Sequence, residues 1–108
     1  MAQILLSNAT ATGPGIAWNP RDTSAVATYV QHSFQAVGNT SASTGAATIL
    51  IEVSNNGSNY ITLGTITLTL GTTVTSDGFA VANTWEYYRA NISSISGTGA
   101  VVSVFMKG

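Results

Sequence analysis

The stretch TILIEVSNNGSNYITLGTITLTL, residues 48–70, decides the fold class of this chain. Ile49, Ile51 and Val53 lie on one side of a period-two alternation and Thr48, Glu52 and Ser54 on the other, as in a half-buried strand. Leu50 breaks the pattern from the polar side. Asn55, Asn56, Gly57, Ser58 and Asn59 tolerate positive φ or bond their own backbone, so the chain is expected to turn there. It resumes as Tyr60-Ile61-Thr62-Leu63, and beyond Gly64 the parity slips: Ile61 and Leu63 are odd, Ile66, Leu68 and Leu70 even. One extra residue at Gly64-Thr65 would re-aim the side chains in this way, which predicts a β-bulge or a sharp bend. A hairpin with a bent return arm suits the corner of a β-sandwich.

Outward from this hairpin the same pattern recurs. Residues 25–37 read as a strand with Val26, Thr28, Val30, His32, Phe34 and Ala36 pointing inward. Residues 38–45, GNTSASTG, form a polar connecting loop. Ser76-Asp77-Gly78 is a turn signal, followed by a short strand at 79–82. WEYYRANI, residues 85–92, is the most aromatic segment, with Tyr88, Ala90 and Ile92 on one face and Trp85, Tyr87 and Arg89 on the other. A turn at 93–99 leads into a closing strand whose Ala100, Val102, Val104 and Met106 share a side. Residues 2–8 are a short apolar run, either a first strand or an arm laid on a neighbour, and 9–22 are broken by Gly13-Pro14-Gly15 and Asn19-Pro20. No segment has helical periodicity. Seven or eight short strands predict an all-β, single-domain β-sandwich of 108 residues, a jelly roll in preference to an immunoglobulin-like order. Within it, 1–24 are read as an N-terminal arm and loop and 25–108 as the sandwich.

Composition narrows the function. Charged residues are 6% of the chain, against about 25% in an average soluble domain. The formal net charge of −1 leaves no basic stripe for nucleic acid. There is no cysteine, hence no disulfide framework and no thiolate metal site. The N-terminal residues have neither the basic segment nor the apolar run of a signal peptide or membrane span, so synthesis in a cytoplasm is expected. Hydrophobic residues make up 44% of the chain, enough for a packed core, so the exterior must be Thr, Ser, Asn, Gln, Ala and Gly. Sheet edges are usually guarded by lysine, proline or inward charges. Lys107 is the only lysine, which implies that edges or faces are covered by partner chains, including copies of the chain itself.

No catalytic constellation emerges, and a non-enzymatic role without cofactor or metal is expected. His32 is the only histidine, and a core or interface position explains it. Of the four carboxylates, Asp77 suits a turn and Glu86 a pairing with Arg89 or Arg21, a simpler reading than a glycosidase pair. The oxygen-rich turns at 55–59 and 76–78 offer one carboxylate between them, which favours turn formation over calcium. Trp18, Tyr29, Trp85 and Tyr87 have three roles open to them: core, protein interface, and sugar stacking.

The segments IEVSNNGSNYITLG, SDGF and WEYYRANISSISGTGAVVSV together resemble small virion proteins of tailed bacteriophages. In these a strand, an S-N-x-G turn and an aromatic precede a Y-x-R-A-N-type strand, a G-T-G turn and a valine-rich last strand. The same elements are similar, more faintly, to discoidin-type galactose-binding jelly rolls. The first resemblance implies a capsid decoration or cement protein, binding a major capsid protein or another virion protein and assembling as a homo-oligomer, a trimer above all. The alternative it leaves is a carbohydrate-binding module of a phage tail or cell-wall protein, reading sugars with Trp85, Tyr87 and Arg89. Candidate contact residues are Ile4, Leu5, Leu6, Ile16, Trp18, Tyr29, Trp85, Tyr87 and Arg89, with 1–8 and 13–22 as candidate capsid-binding segments.

Overall fold

Ile49, Ile51 and Val53 are fully buried, as their alternation requires, in the strand that runs through the middle of one sheet. The computed structural model of the chain describes residues 3–17, 32–82 and 85–107. These form eight strands: β1 (Gln3–Ala9), β2 (Gly13–Pro14), β3 (His32–Asn39), β4 (Gly45–Ser54), β5 (Ile61–Leu70), β6 (Thr75–Val81), β7 (Tyr87–Ser96) and β8 (Val101–Lys107). They make two antiparallel four-stranded sheets, ordered β1-β8-β3-β6 and β2-β7-β4-β5. First pairs with last, second with seventh, third with sixth and fourth with fifth. That nesting is a long antiparallel hairpin rolled up into a sandwich, the jelly-roll order.

The core lies between the sheets. Leu5, Phe34, Ala36, Val102, Val104 and Met106 face it from one side, and Ile49, Ile51, Val53, Tyr88, Ala90 and Ile92 from the other. Each large aliphatic so buried contributes about 1.5–3 kcal/mol relative to leaving it in water. The inward face expected of the third strand holds for His32, Phe34 and Ala36, and the earlier part of that predicted strand, 25–31, lies outside the described residues.

One open alternative is decided and three features differ from the expectation. The N-terminal run is a strand of this chain's own sandwich: β1 pairs with β8, with Gln3 opposite Met106, and Leu5 is sunk in the core at 2% exposure. Of the two readings of residues 2–8 the first strand therefore holds over Gln3–Ala9, where β8 pairs along one side of β1 and leaves its other side as a sheet edge, and the arm reading gives way there. The bulge in β5 falls one residue earlier than predicted. Ile51 is opposite Gly64 and Glu52 opposite Thr62, so Leu63 is the inserted residue. A side chain at Gly64 would run into the Phe79 ring, which explains why the glycine stands in register.

The predicted turn at 93–99 is shorter, since β7 continues to Ser96. A second bulge at Ser93, between the Thr48–Ser94 and Ile49–Ile92 pairs, lets Ile95 turn back to the core. Finally, Ser76-Asp77-Gly78 is not a turn but part of β6, with Gly78 opposite Gln35. A Cβ at Gly78 would press on the Phe34 carbonyl oxygen, so the glycine permits close approach of β6 to β3 rather than a reversal. Gly78→Val is accordingly expected to lower stability by about 2 kcal/mol. Urea unfolding checks this, and a stability equal to wild type would show that β6 can shift outward freely.

Candidate functional site

The outer face of the β2-β7-β4-β5 sheet carries the polar side chains that β4, β5 and β7 turn away from the core. Strand register sets its rows: Tyr87 opposite Ser54, Arg89 opposite Glu52, Asn91 opposite Leu50 and Ser94 opposite Thr48. On β5 the exposed members of the same face are Thr62, Thr65, Thr67 and Thr69. One end of this face is aromatic and charged, and the rest is an uncharged threonine surface.

The charged end centres on Arg89. Its Nε donates to Glu52 Oε1 at 2.8 Å, and Asn91 Nδ2 donates to Glu52 Oε2 at 3.3 Å. The side chains are 26% and 13% exposed, so the pair is partly shielded from water. The guanidinium carbon stands 3.8 Å from the centre of the Tyr60 ring, a cation–π contact. Of the two partners expected for Glu86, Arg89 or Arg21, Arg89 pairs instead with Glu52, which lies directly opposite across the β4–β7 ladder, and Arg21 lies outside the described residues.

The turn beside this cluster is bonded throughout. Ser54 Oγ accepts from the Asn56 and Gly57 amides at 3.1 and 3.0 Å and donates to Asn56 Oδ1 at 2.9 Å. Asn56 Oδ1 also accepts from the Ser58 and Asn59 amides, each at 2.9 Å. Asn56 Nδ2 donates to Asn59 Oδ1 at 3.0 Å, and Asn55 Oδ1 accepts from the Glu86 amide at 3.0 Å. The side-chain oxygens that suggested a cation site are thus occupied in shaping the turn. Gly57 has φ +76° and lies against the Tyr87 ring, so the turn braces that tyrosine.

Of the predicted contact residues, Tyr87 and Arg89 come together here, half-buried. Trp85, next to them in sequence, packs against the core as a partly buried residue. Its amide donates to the Tyr88 hydroxyl at 3.0 Å, and burial pushes that phenol's pKa above its ordinary value, offset in part by this hydrogen bond. Ile4 is 53% and Ile16 81% exposed, both free to meet a partner, while Leu6 is half-buried. Leu5 belongs to the core and is no surface contact, because the bulge between Ile4 and Leu6 turns it inward. Trp18 and Tyr29 lie outside the described residues. Sequence reading missed Glu52, Tyr60 and Asn91; only the register of β4 with β7 places two of them beside Arg89.

His32 is buried and its ring lies 4.8 Å from that of Tyr88, in an aromatic cluster continued by Phe34 and Phe79. Asp77 and Glu86 are attached to different sheets, the first within β6 and the second just ahead of β7. Among the described residues no group of three His, Cys, Asp or Glu could hold a metal ion. At the far end of β7, a depression of about 230 Å³ is lined by Thr10, Ile95, Val101 and the intervening glycine-rich turn, with no titratable group.

No protein-family model matches the chain, and no curated protein matches it in sequence. In fold it is similar to the crystal structure of PBSX exported protein XepA, with a TM-score of 0.60 at 17% sequence identity. The likeness covers 98% of this chain and 36% of that one, so this chain spans little more than a third of its neighbour's length.

Proposed function

We propose that this chain is a non-enzymatic structural protein of a tailed phage or phage-related particle, and specifically a capsid decoration protein that docks on the major capsid protein. The observation that carries the reading is β5. This ten-residue strand, ITLGTITLTL, stands at a sheet edge and contains no lysine, arginine, acid or proline. The bulge at Leu63 interrupts it near one end, but the run from Gly64 to Leu70 is regular, and an edge with no charge or proline templates pairing with another chain, which natural monomers prevent. A protein that lives inside an assembly has no such need.

Three further facts support it. The exposed face next to β5 is a row of threonines that adds no charge to repel a neighbour. Ile4 and Ile16 offer apolar area at the N-terminal end, and burying it supplies about 25 cal/mol per Å² before association costs. The fold is shared with PBSX exported protein XepA. Copies of the chain would assemble, a trimer being the favoured state, and bridge adjacent shell subunits without any chemistry. The virion is the expected location, after synthesis in the host cytoplasm.

Light scattering after gel filtration and co-sedimentation with phage shells test this. The expected result is a species several times the 11.1 kDa chain mass that sediments with shells, and loss of both properties in Thr67→Lys/Thr69→Lys. A lone 11.1 kDa chain that ignores shells would overturn it.

Tyr87 favours a second reading, sugar binding at the charged end of the face, since it is half-buried on the flank of a rigid turn. The Tyr60 ring is less available, one face being covered by Arg89. A glycan array on which Trp85→Ala and Tyr87→Ala lose binding that wild type displays would move the function there.

A further inference from the structure

Asn56-Gly57 is the single Asn-Gly pair in the sequence and lies in the exposed turn between β4 and β5. Such a pair is chemically unstable in an open chain. With no side chain on glycine to hinder it, the Gly57 amide nitrogen attacks Asn56 Cγ and forms an N–Cγ bond. The Cγ–Nδ2 bond breaks, and Nδ2 leaves as ammonia with the proton taken from the Gly57 amide. Water then opens the cyclic imide at either carbonyl, giving an aspartyl or an isoaspartyl residue.

The turn holds the attacking nitrogen, the target carbonyl and the leaving nitrogen each in hydrogen bonds, which resist the rotation that would bring them together. The attacking nitrogen is held by Ser54 Oγ at 3.0 Å. The carbonyl side of the target amide is fixed by the Ser54 hydroxyl and two backbone amides, all at 2.9 Å. The leaving nitrogen is bonded to Asn59 Oδ1 at 3.0 Å. Ser54 takes part in holding both reacting groups, and at 2% exposure it is sheltered from competing water. We infer that Asn56-Gly57 is a latent covalent modification site, kept closed by Ser54 Oγ for as long as the turn is folded. Opening it would lengthen the backbone by one methylene on the isoaspartyl branch and add a carboxylate next to the glycine that braces Tyr87.

The inference does not depend on the proposed function, and its test uses no partner. The full chain is incubated at mildly alkaline pH, folded in buffer and unfolded in urea, and deamidation at Asn56 is followed by peptide mass spectrometry with enzymatic isoaspartate detection. The folded chain is expected to deamidate far more slowly than the unfolded one. Ser54→Ala, which removes the acceptor for the Gly57 amide, is expected to raise the folded-state rate about tenfold, with Asn91 unaffected as an internal reference. Equal rates for folded and unfolded wild type would overturn the inference, as would a folded Ser54→Ala no faster than wild type. Should Ser54→Ala fail to fold by circular dichroism, Ser54→Cys decides, since the thiol keeps the shape and is a weak acceptor: acceleration upholds the lock and an unchanged rate refutes it.

Discussion

Tyr88→Ala is expected to lower the free energy of unfolding by about 4 kcal/mol, a large part of the 5–15 kcal/mol available to a domain of this kind. The ring is fully buried and touches His32 and Phe34, with centroids 4.8 and 5.8 Å away. Both sheets meet at this cluster, so neither can close over the space that alanine leaves. The substitution also removes the acceptor of the Trp85 amide. Tyr88→Phe separates the two effects. It keeps the ring and loses the hydroxyl, at about 1 kcal/mol. Its pH dependence is diagnostic. Burial raises the Tyr88 pKa, so the folded state holds the phenolic proton more tightly than the unfolded chain. The resulting stability is complete below about pH 10 and declines as pH rises through and above that value. In Tyr88→Phe that part of the alkaline loss should vanish. Urea midpoints at neutral and alkaline pH measure it, and parallel declines in both proteins would contradict the assignment.

Arg89→Ala is expected to cost about 2 kcal/mol, less than the 3–5 kcal/mol of a fully buried pair because both side chains keep some contact with water. Most of the loss comes from leaving Glu52 with Asn91 as its one remaining side-chain donor here and from freeing the Tyr60 ring. Replacing both charges, as Glu52→Leu/Arg89→Leu, should recover most of that loss, since no unpaired charge then remains. A double-mutant cycle in urea reads the coupling directly. Additive effects would mean that the 2.8 Å contact contributes nothing of its own. The same double variant separates the two readings of function. Shell binding through β5 should survive it, whereas sugar binding through Arg89 should not.

The sheets were legible because their signal is a period of two, and burial on one face enforces it. Ile49, Ile51, Val53, Tyr88, Ala90, Val102 and Val104 all point where alternation sends them. What alternation alone hides are the places where two strands fix each other. The bulge at Leu63 appears in the sequence only as a change of parity, and the partner strand decides which residue is extra. The change from Ile92 to Ile95 carried the same hint at the second bulge, masked by two serines that resemble a turn. Ser76-Asp77-Gly78 misleads because glycine serves close strand packing as readily as reversal. The candidate site was half legible. Tyr87 and Arg89 stand out by composition, but Glu52 reaches Arg89 from 37 residues away through register alone.

Because Gln3 lies opposite Met106, the chain enters and leaves the fold at adjacent positions on one rim. A unit with that layout can be spliced into a loop of a larger polypeptide, or carry a passenger at either terminus, with little added linker and no change to its interior. Cargo fused at Gln3 or at Met106 would emerge at a common point, so both kinds of fusion would be presented from the same place.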